Sequence, residues 1–530
     1  MSGYGCNMIN YLFIDYIIKC YVPELIKLIE DGEKKVNIRL FQESMLHEST
    51  KLNEDDKSYE RLEYLGDAIF HMIITEYFYK RYEDEAEGFL TRLRIQIERG
   101  DSMVELTKKL ELGQFIQIYN TNIDDHILED VFEAFVGAFY LNFGMYYTRI
   151  FIVRLIEAEK DLAELISHDD NYKDLLLRYF HQAWGEFPVY DKKVFNGKFI
   201  SIVRNPSQVI IGKGQASSKR KAEQLASKDA LINLKVIVNG NVDQNWLNKI
   251  DKIEKEKKIK VDKNAMSVFN PNNKLITRNI VRQLLEDYEV SYPKNLPTRK
   301  SNIDIKLFQE AMTHRSYLVR TKLSDKDKIA AKTSIPLQKK SNERLQFLGD
   351  SVIHFIIGEY LYNKYEYSDE GFLTRLRCKL ENKESLFFLA KKTGIYYYLL
   401  ISQNIEALHG RNNINIISKG LNAFMGVLYL EMGLGIARKY FLEVIRFELD
   451  ISKIIESETN YKDLILQLYN SNHWGKPDYR IIKEEGPDHI KMFTMGLYLN
   501  NELMGVGTAS SKRKAEQIAS EKAYKRCQNE

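Results

Sequence analysis

Two short acidic patterns in this chain could do chemistry. In ERLEYLGD (60–67), Glu60, Glu63 and Asp67 are spaced i, i+3, i+7 and share one face of a helix. In ILEDVFEAF (127–135), Asp130 and Glu133 are again i, i+3, among Val, Phe and Ala. Acids on a helix are usually its solvated face. Here the helices are otherwise strongly apolar, and Gly66 and Gly137 permit close approach of one to the other. If the helices cross at these glycines, four carboxylates converge. They could not all stay ionised without a cation, and ligands that are all oxygen favour magnesium or manganese over zinc.

The elements that must position these acids occur twice. ERLEYLGD returns as ERLQFLGD (343–350), and EGFLTRLR (87–94) returns unchanged at 370–377. LFQESMLHES (40–49) matches LFQEAMTHRS (307–316), NYKDL (171–175) returns at 460–464, and ASSKRKAEQ (216–224) returns at 509–517. The order is the same in both halves, so two multidomain halves stand in tandem. The second half carries an insertion between Ser316 and Asn342, rich in Lys, Ser and Asp, that reads as a surface loop. Within each half, long apolar-periodic segments such as DAIFHMIITEYFYKRY predict an all-helical domain. A smaller α-β-β-β-α module follows, with alternating strands (FISIV, QVIIGKG; KMFTMGLYL, ELMGVG) and a last helix opened by Ser-Ser. The boundaries read as helical domain 1–168, module 171–237, a Lys- and Asn-rich linker 238–275 that is partly helical around 245–258, helical domain 276–457 and module 460–528.

Bulk properties narrow the class. The chain has 530 residues, 44% of them hydrophobic and 28% charged, as expected for a soluble protein with several cores. It has no apolar run of about 18 residues, so no membrane partner is expected. The apolar N-terminal stretch is interrupted by Asp15 and Lys19 and reads as an amphipathic helix packed on the first domain. Cys6, Cys20, Cys378 and Cys527 have no CxxC spacing. This fits a reducing compartment, and the chain reads as cytoplasmic. The net charge of +3 is too small to name a partner.

ERLEYLGD, the upstream LHES, EGFLTRLR and ILEDVFEAFVGAFYL resemble ribonuclease III, and the α-β-β-β-α modules resemble that family's double-stranded RNA-binding domain. The similarity covers nearly the whole chain, twice. It implies a multidomain fold: two all-α ribonuclease III-like endonuclease domains, each followed by an α+β double-stranded RNA-binding domain. It also implies that Glu63, Asp67, Asp130 and Glu133 bind Mg2+, with Mn2+ as a substitute, and that Glu60 and Glu87 support catalysis as further acids lining the cleavage site. The reaction implied is metal-dependent hydrolysis of double-stranded RNA to 5′-phosphate and 3′-hydroxyl ends. No nucleophilic Ser, Cys or His needs to be invoked. A packing or hydrogen-bonding role suits His47 and His314.

The second half is equipped differently. Glu343 and Asp350 persist, but Gln346 stands for Glu63, Lys419 for Asp130 and Asn422 for Glu133. Such a site should bind a divalent cation poorly, and the Lys419 ammonium is expected to take the metal's place and pair with Asp350. The resemblance implies an internal pseudo-dimer of the two nuclease domains with one intact site. Whether two chains also associate through their first domains is left open.

For RNA binding, Lys219, Arg220 and Lys221, and Lys512, Arg513 and Lys514, would lie at helix N-termini, where dipole and cations both favour phosphate. GPDH of the second module (Gly486, Pro487, His489) is similar to the family's minor-groove loop. The first module has only FNGK there. Both modules carry Leu (Leu177, Leu466) where the family often has Gln, and the first is expected to bind more weakly. The competing functional reading is a non-catalytic protein that binds and sequesters double-stranded RNA.

Overall fold

The computed structural model describes residues 8–51, 56–162, 172–195, 198–238, 241–242, 267–293, 303–320, 323–458, 461–462, 465, 468–469, 474, 477–485, 492–499 and 502–529. The expected helix near 245–258, Leu466, Gly486, Pro487 and His489 lie outside these residues. The chain divides into two compact units, Met1–Leu449 and Asp450–Glu530.

The larger unit is organised by two pairs of long helices. In the first half the pair is Glu60–Arg81 and Asp125–Glu159; in the second it is Glu343–Lys364 and Ile414–Met432. Leu62, Leu65, Ala68, Ile69, Met72 and Ile73 are buried around the first of these. A helix apolar on nearly all sides must lie inside a core. Glu60–Arg81 does so, packing on Asp125–Glu159 and also on Glu343–Lys364 of the other half. Asp125–Glu159 bends at Gly144 (φ 79°), and the second half has Gly433 (φ 83°) between Ile414–Met432 and Leu434–Glu448. Only glycine takes this backbone conformation without strain. The N-terminal helix Tyr11–Tyr21 is capped by Asn10, whose Oδ1 accepts from the Phe13 N–H at 3.1 Å, and it buries Ile14, Ile17 and Ile18. It packs on the Asp125–Glu159 helix, as its pattern predicts.

The two halves meet along their first long helices in a pseudo-twofold arrangement. Arg61 donates to the carbonyls of Tyr362 (2.8 Å), Tyr365 (2.8 Å) and Ser368 (2.5 Å), at and just past the end of Glu343–Lys364. Arg344 returns the contact to the carbonyls of Tyr79 (2.8 Å), Tyr82 (2.7 Å) and Glu85, at and just past the end of Glu60–Arg81. The last carbonyls of a helix lack partners and carry partial negative charge, so a guanidinium suits them on both counts. A second reciprocal pair flanks the first. Arg149 binds buried Glu76 (2.8 Å) and the Tyr429 hydroxyl (3.0 Å), while Arg438 binds Glu359 (2.7 Å), which accepts from the Tyr140 hydroxyl.

Two stretches depart from expectation. Residues 267–275, read as the end of the linker, are packed into the second half. Val268, Phe269, Asn270 and Asn273 are buried, and both asparagine amides donate to the Ile401 carbonyl, at 3.2 and 3.0 Å. The insertion read as a surface loop carries a short helix, Asp325–Ala330, whose Asp327 is buried and accepts from Ser267 Oγ (2.7 Å) and the Val268 N–H (2.8 Å). The insertion thus anchors the incoming chain.

Each module forms a three-stranded antiparallel sheet against helices. In the first, β1 (Val189–Phe195), β2 (Lys198–Arg204) and β3 (Ile210–Ala216) lie under helix Lys219–Asn233, and helix Tyr172–Ala183 completes the core with Leu176 and Phe180. A minor pair, β4 (Ile237–Val238) and β5 (Asn241–Val242), follows. In the second, β6 (Asp478–Glu485), β7 (Met492–Leu499) and β8 (Glu502–Ala509) lie under helix Lys512–Asn529.

The reciprocal arginines generate a stability prediction. A hydrogen bond to a charged group is worth about 1.5–3 kcal/mol. Arg61→Ala and Arg344→Ala should each destabilise the larger unit by about 2 kcal/mol in urea unfolding, and the double variant should be roughly additive because the two contacts share no partner. Loss in only one variant would show that the halves do not meet symmetrically.

Candidate functional site

The acids are brought together by a helix crossing that only glycine allows. A Cβ at Gly66 would fall on the carbonyl of Glu133, and one at Gly137 would fall on the carbonyl of Leu62. The backbones therefore touch, and Glu63 and Asp67 face Asp130 and Glu133. Burial pushes the Glu63 carboxyl up to about 9, with further repulsion from Asp130, Glu370, Glu60 and Asp67. Burial followed by Asp67 and Glu63 raises Glu133 well above the usual range. Asp130 is raised by burial, although the Tyr59 hydroxyl donates to its Oδ2 at 3.1 Å and opposes this. Glu60 lies at the edge, bound by Lys51 Nζ (3.1 Å) and Ser58 Oγ (2.9 Å).

Asp67 behaves oppositely, and the second half is the cause. Burial alone would raise its carboxyl. His354 Nε2 (3.5 Å) and Arg377 Nη1 (3.2 Å), both on Oδ2, hold it down to about 2. His354 is itself held by Glu381 through Nδ1 at 2.9 Å. The counterparts in the first half repeat the histidine–glutamate contact and the stacking of arginine over a ring of the other half, as Arg377 does over Tyr64, but among the described residues they do not bind Asp350. His71 Nδ1 binds Glu98 (3.0 Å), His71 Nε2 lies 3.3 Å from Arg94 Nη1, and the Arg94 guanidinium stacks over Phe347.

Sequence reading placed Glu87 at the cleavage site. In the structure both copies accept from their own helices, Glu87 from Thr91 Oγ1 (2.9 Å) and Glu370 from Thr374 Oγ1 (2.5 Å), and it is the second half's Glu370 that acts on Glu63. Glu370, Arg377 and His354 were missed. The unchanged repeat of EGFLTRLR was the available signal, but it does not say which copy faces which acids.

At the corresponding place in the second half the helices cross in the same way, with Gly349 against Asn422 and Gly426 against Leu345. The expected pairing of Lys419 with Asp350 does not form. Asn422 Nδ2 donates to Asp350 Oδ1 at 2.9 Å, and Gln346 Nε2 donates to Asn342 at 2.5 Å. Lys419 is exposed. It lies one turn before Asn422, and among the described residues it is the Asn422 amide, not the Lys419 ammonium, that meets the Asp350 carboxylate. His47 and His314 are hydrogen-bonding residues: each Nδ1 accepts the N–H two residues on, from Ser49 (3.0 Å) and Ser316 (3.2 Å).

The modules present the predicted cations. Ser218 Oγ accepts from the Lys221 N–H (3.3 Å) and Ser511 Oγ from the Lys514 N–H (3.4 Å), so Ser-Ser opens both helices as expected. Lys219, Lys221, Lys512 and Lys514 are exposed in these first turns, and Arg220 and Arg513 belong to the same turns. Lys512 Nζ also reaches Glu484 at 3.2 Å.

Among the described residues no three His, Cys, Asp or Glu side chains stand as a closed metal-ligand shell. The chemistry of the acids nonetheless fits a hard divalent cation. Glu63, Asp130 and Glu133 are oxygen donors whose burial, with mutual repulsion at Glu63 and Glu133, disfavours the ionised form unless a cation stands among them.

Comparison with known proteins agrees with this architecture. Residues 60–144 match the model of the ribonuclease III domain, 304–448 a ribonuclease-III-like domain, and 172–234 and 461–526 the double-stranded RNA binding motif. A probable ribonuclease 3 of Acanthamoeba polyphaga mimivirus is 64% identical over 98% of this chain and 97% of its own length. Ribonuclease 3 of Enterococcus faecalis is 34% identical over 42% of this chain and 90% of its own length. The nuclease domain of Campylobacter jejuni ribonuclease III, 26% identical, covers 33% of this chain and 100% of its own length with a TM-score of 0.25. The chain belongs to the ribonuclease III family. It is an endoribonuclease of that type, with nuclease and double-stranded RNA-binding domains in tandem repeat. Among the described residues no helix is long and apolar enough to cross a membrane.

The raised acids predict a pH dependence. A carboxyl whose folded value lies above its unfolded value stabilises the fold while it is protonated. For Glu63 that contribution is complete below 4.5 and lost as pH rises through about 9. In EDTA the unfolding temperature should fall across that window, and Glu63→Gln should flatten the fall. A wild-type profile that is flat without metal would contradict the burial of an uncompensated acid.

Proposed function

We propose that this chain cleaves double-stranded RNA by magnesium-dependent hydrolysis in its first half, leaving 5′-phosphate and 3′-hydroxyl ends, and that its second half completes an internal pseudo-dimer without cutting. The observation that carries this reading is the contrast between the two crossings: Glu63, Asp67, Asp130 and Glu133 at one, Gln346, Asp350, Lys419 and Asn422 at the other.

Glu63, Asp67, Asp130 and Glu133 would hold the cation. A divalent ion there supplies positive charge against the charge gathering on phosphorus, and a more acidic water. The protein contributes the rest. Arg377 and His354 occupy Oδ2 of Asp67 and keep that carboxylate ionised, leaving Oδ1 free as a ligand. Tyr59 orients Asp130 through Oδ2. Glu60 lies at the rim with Lys51. Exposed lysines at two helix N-termini hold the duplex backbone, so recognition follows A-form shape more than sequence. With one live site per chain, the expected act is a nick in one strand.

One digestion tests this. A long duplex labelled on each strand separately is incubated with protein and magnesium, beside an Asp130→Asn variant, and run on native and denaturing gels. Products visible only after denaturation, and absent with Asp130→Asn, are expected. Tight binding without cleavage by the wild type would instead establish the sequestration reading.

The second half's role at Asp67 has its own test. Removing a group that orients a metal ligand commonly costs about 10–100-fold in metal affinity. Arg377→Ala should raise the magnesium needed for half-maximal cleavage by about tenfold or more, with activity recovered at high magnesium. Arg94→Ala, whose guanidinium contacts His71 and Phe347, should leave that requirement unchanged. The same shift in both variants would mean that Arg377 acts only on folding.

A further inference from the structure

The second half's altered site has done more than lose its acids. The resemblance between LHES and THRS aligns Glu48 with Arg315, and Asp130 aligns with Lys419. Simple loss of metal binding asks only for neutral replacements, as at Gln346 and Asn422. Here two acids have become two cations that approach the same helix: Arg315 reaches toward Glu343 at the start of Glu343–Lys364, and Lys419 stands one turn before Asn422, whose amide meets Asp350 on that helix. Arg315 and Lys419 both act electrostatically on His314, whose imidazole is held below its ordinary value first by burial, then by Arg315 and, more weakly, by Lys419, with Glu343 opposing. His314 Nδ1 is engaged by Ser316, so the ring is fixed.

The two cations are available to a ligand. The Arg315 side chain is 73% exposed, and its contact with Glu343 is long, at 3.8 Å. Lys419 is exposed, and among the described residues it has no ion-pair partner. The acid that could have neutralised it, Asp350, is engaged by Asn422. Glu343, 3.8 Å from Arg315, accepts from Ser341 Oγ at 3.0 Å.

We propose that this converted site binds a backbone phosphate of duplex RNA directly, without metal, through Lys419 and Arg315. The inference rests on the reading of the first half as a duplex-RNA nuclease. The strands of a duplex are related by twofold axes, and the reciprocal contacts of Arg61 and Arg344 relate the two halves in the same way. When the acids of the first half face one strand, the converted site faces the other. A metal bridges phosphate to carboxylates in the first half, whereas guanidinium and ammonium groups meet phosphate unaided in the second. The uncut strand is thereby gripped while its partner is cleaved.

The experiment uses the full chain and a blunt duplex RNA in EDTA, with affinity measured by fluorescence anisotropy across a salt series. Lys419→Gln, Arg315→Gln and the corresponding Glu variants are compared with wild type. The side chains are exposed, so unfolding temperatures should not change. Each neutral variant should weaken binding and lower the slope of log affinity against log salt by about one, and the Glu variants should weaken it further. Cleavage with magnesium at saturating RNA should persist. Neutral variants with unchanged affinity and slope would overturn the proposal. Loss of cleavage at saturating RNA with an unchanged slope would also overturn it, by assigning the two residues a supporting role in the first site. A wild type that never cleaves would overturn the nuclease reading alone, because the salt series is read without turnover.

Discussion

Four carboxylates pressed together between two helices form the constraint that the rest of the larger unit answers. Gly66 and Gly137 let the backbones touch, and the price is a cluster in which burial raises Glu63, Asp130 and Glu133, with mutual repulsion adding to it at Glu63 and Glu133. A site of this kind is poor for stability and well suited to a cation that arrives later. Its helices are held in place by apolar packing on nearly every side and by arginines from the opposite half at the helix ends.

The second half belongs to this solution. It supplies the cations that keep Asp67 ionised, and it brings Glu370 toward Glu63. It therefore contributes to the first site, while at its own crossing the Asn422 amide donates to Asp350 where the first half has a second carboxylate. The asymmetry between the copies, acids in one and Lys and Asn in the other, then has a physical reading. A fold that needs two halves to build one site can relax the chemistry of the second crossing without relaxing its packing, and Gly349 and Gly426 remain where the backbones touch.

The small modules follow a separate logic. Each packs a helix tightly on a three-stranded sheet through glycine and alanine: Gly212 and Gly214 lie against Ala226 and Ala222, and Gly505 and Gly507 against Ala519 and Ala515. This close packing leaves the first turn of the helix free to present its lysines. Small residues in the core thus set how closely helix and sheet approach in each module.

Much of this was legible in the residues alone. The i, i+3, i+7 spacing of acids on apolar helices, the glycines at the crossing, the tandem repeat and the Ser-Ser helix starts are local patterns, and local patterns survive in a linear chain. Three features were not legible. Glu87 and Glu370 sit in identical octapeptides, so only the packing of the halves selects which one acts on Glu63. Lys419 looked like the natural partner of Asp350 by charge, but helix phase at the crossing places Asn422 there instead. Asn270 and Asn273 looked like linker residues because they are polar, yet they are buried by hydrogen bonds to the Ile401 carbonyl, and Asp327 in the insertion holds the neighbouring Ser267. Spacing and hydrophobicity act over a few turns, so the candidate acids and the buried helices can be read along the chain. Which half serves which acids depends on contacts between residues some 300 positions apart, such as Asp67 and Arg377, and these exist only once the halves have packed together.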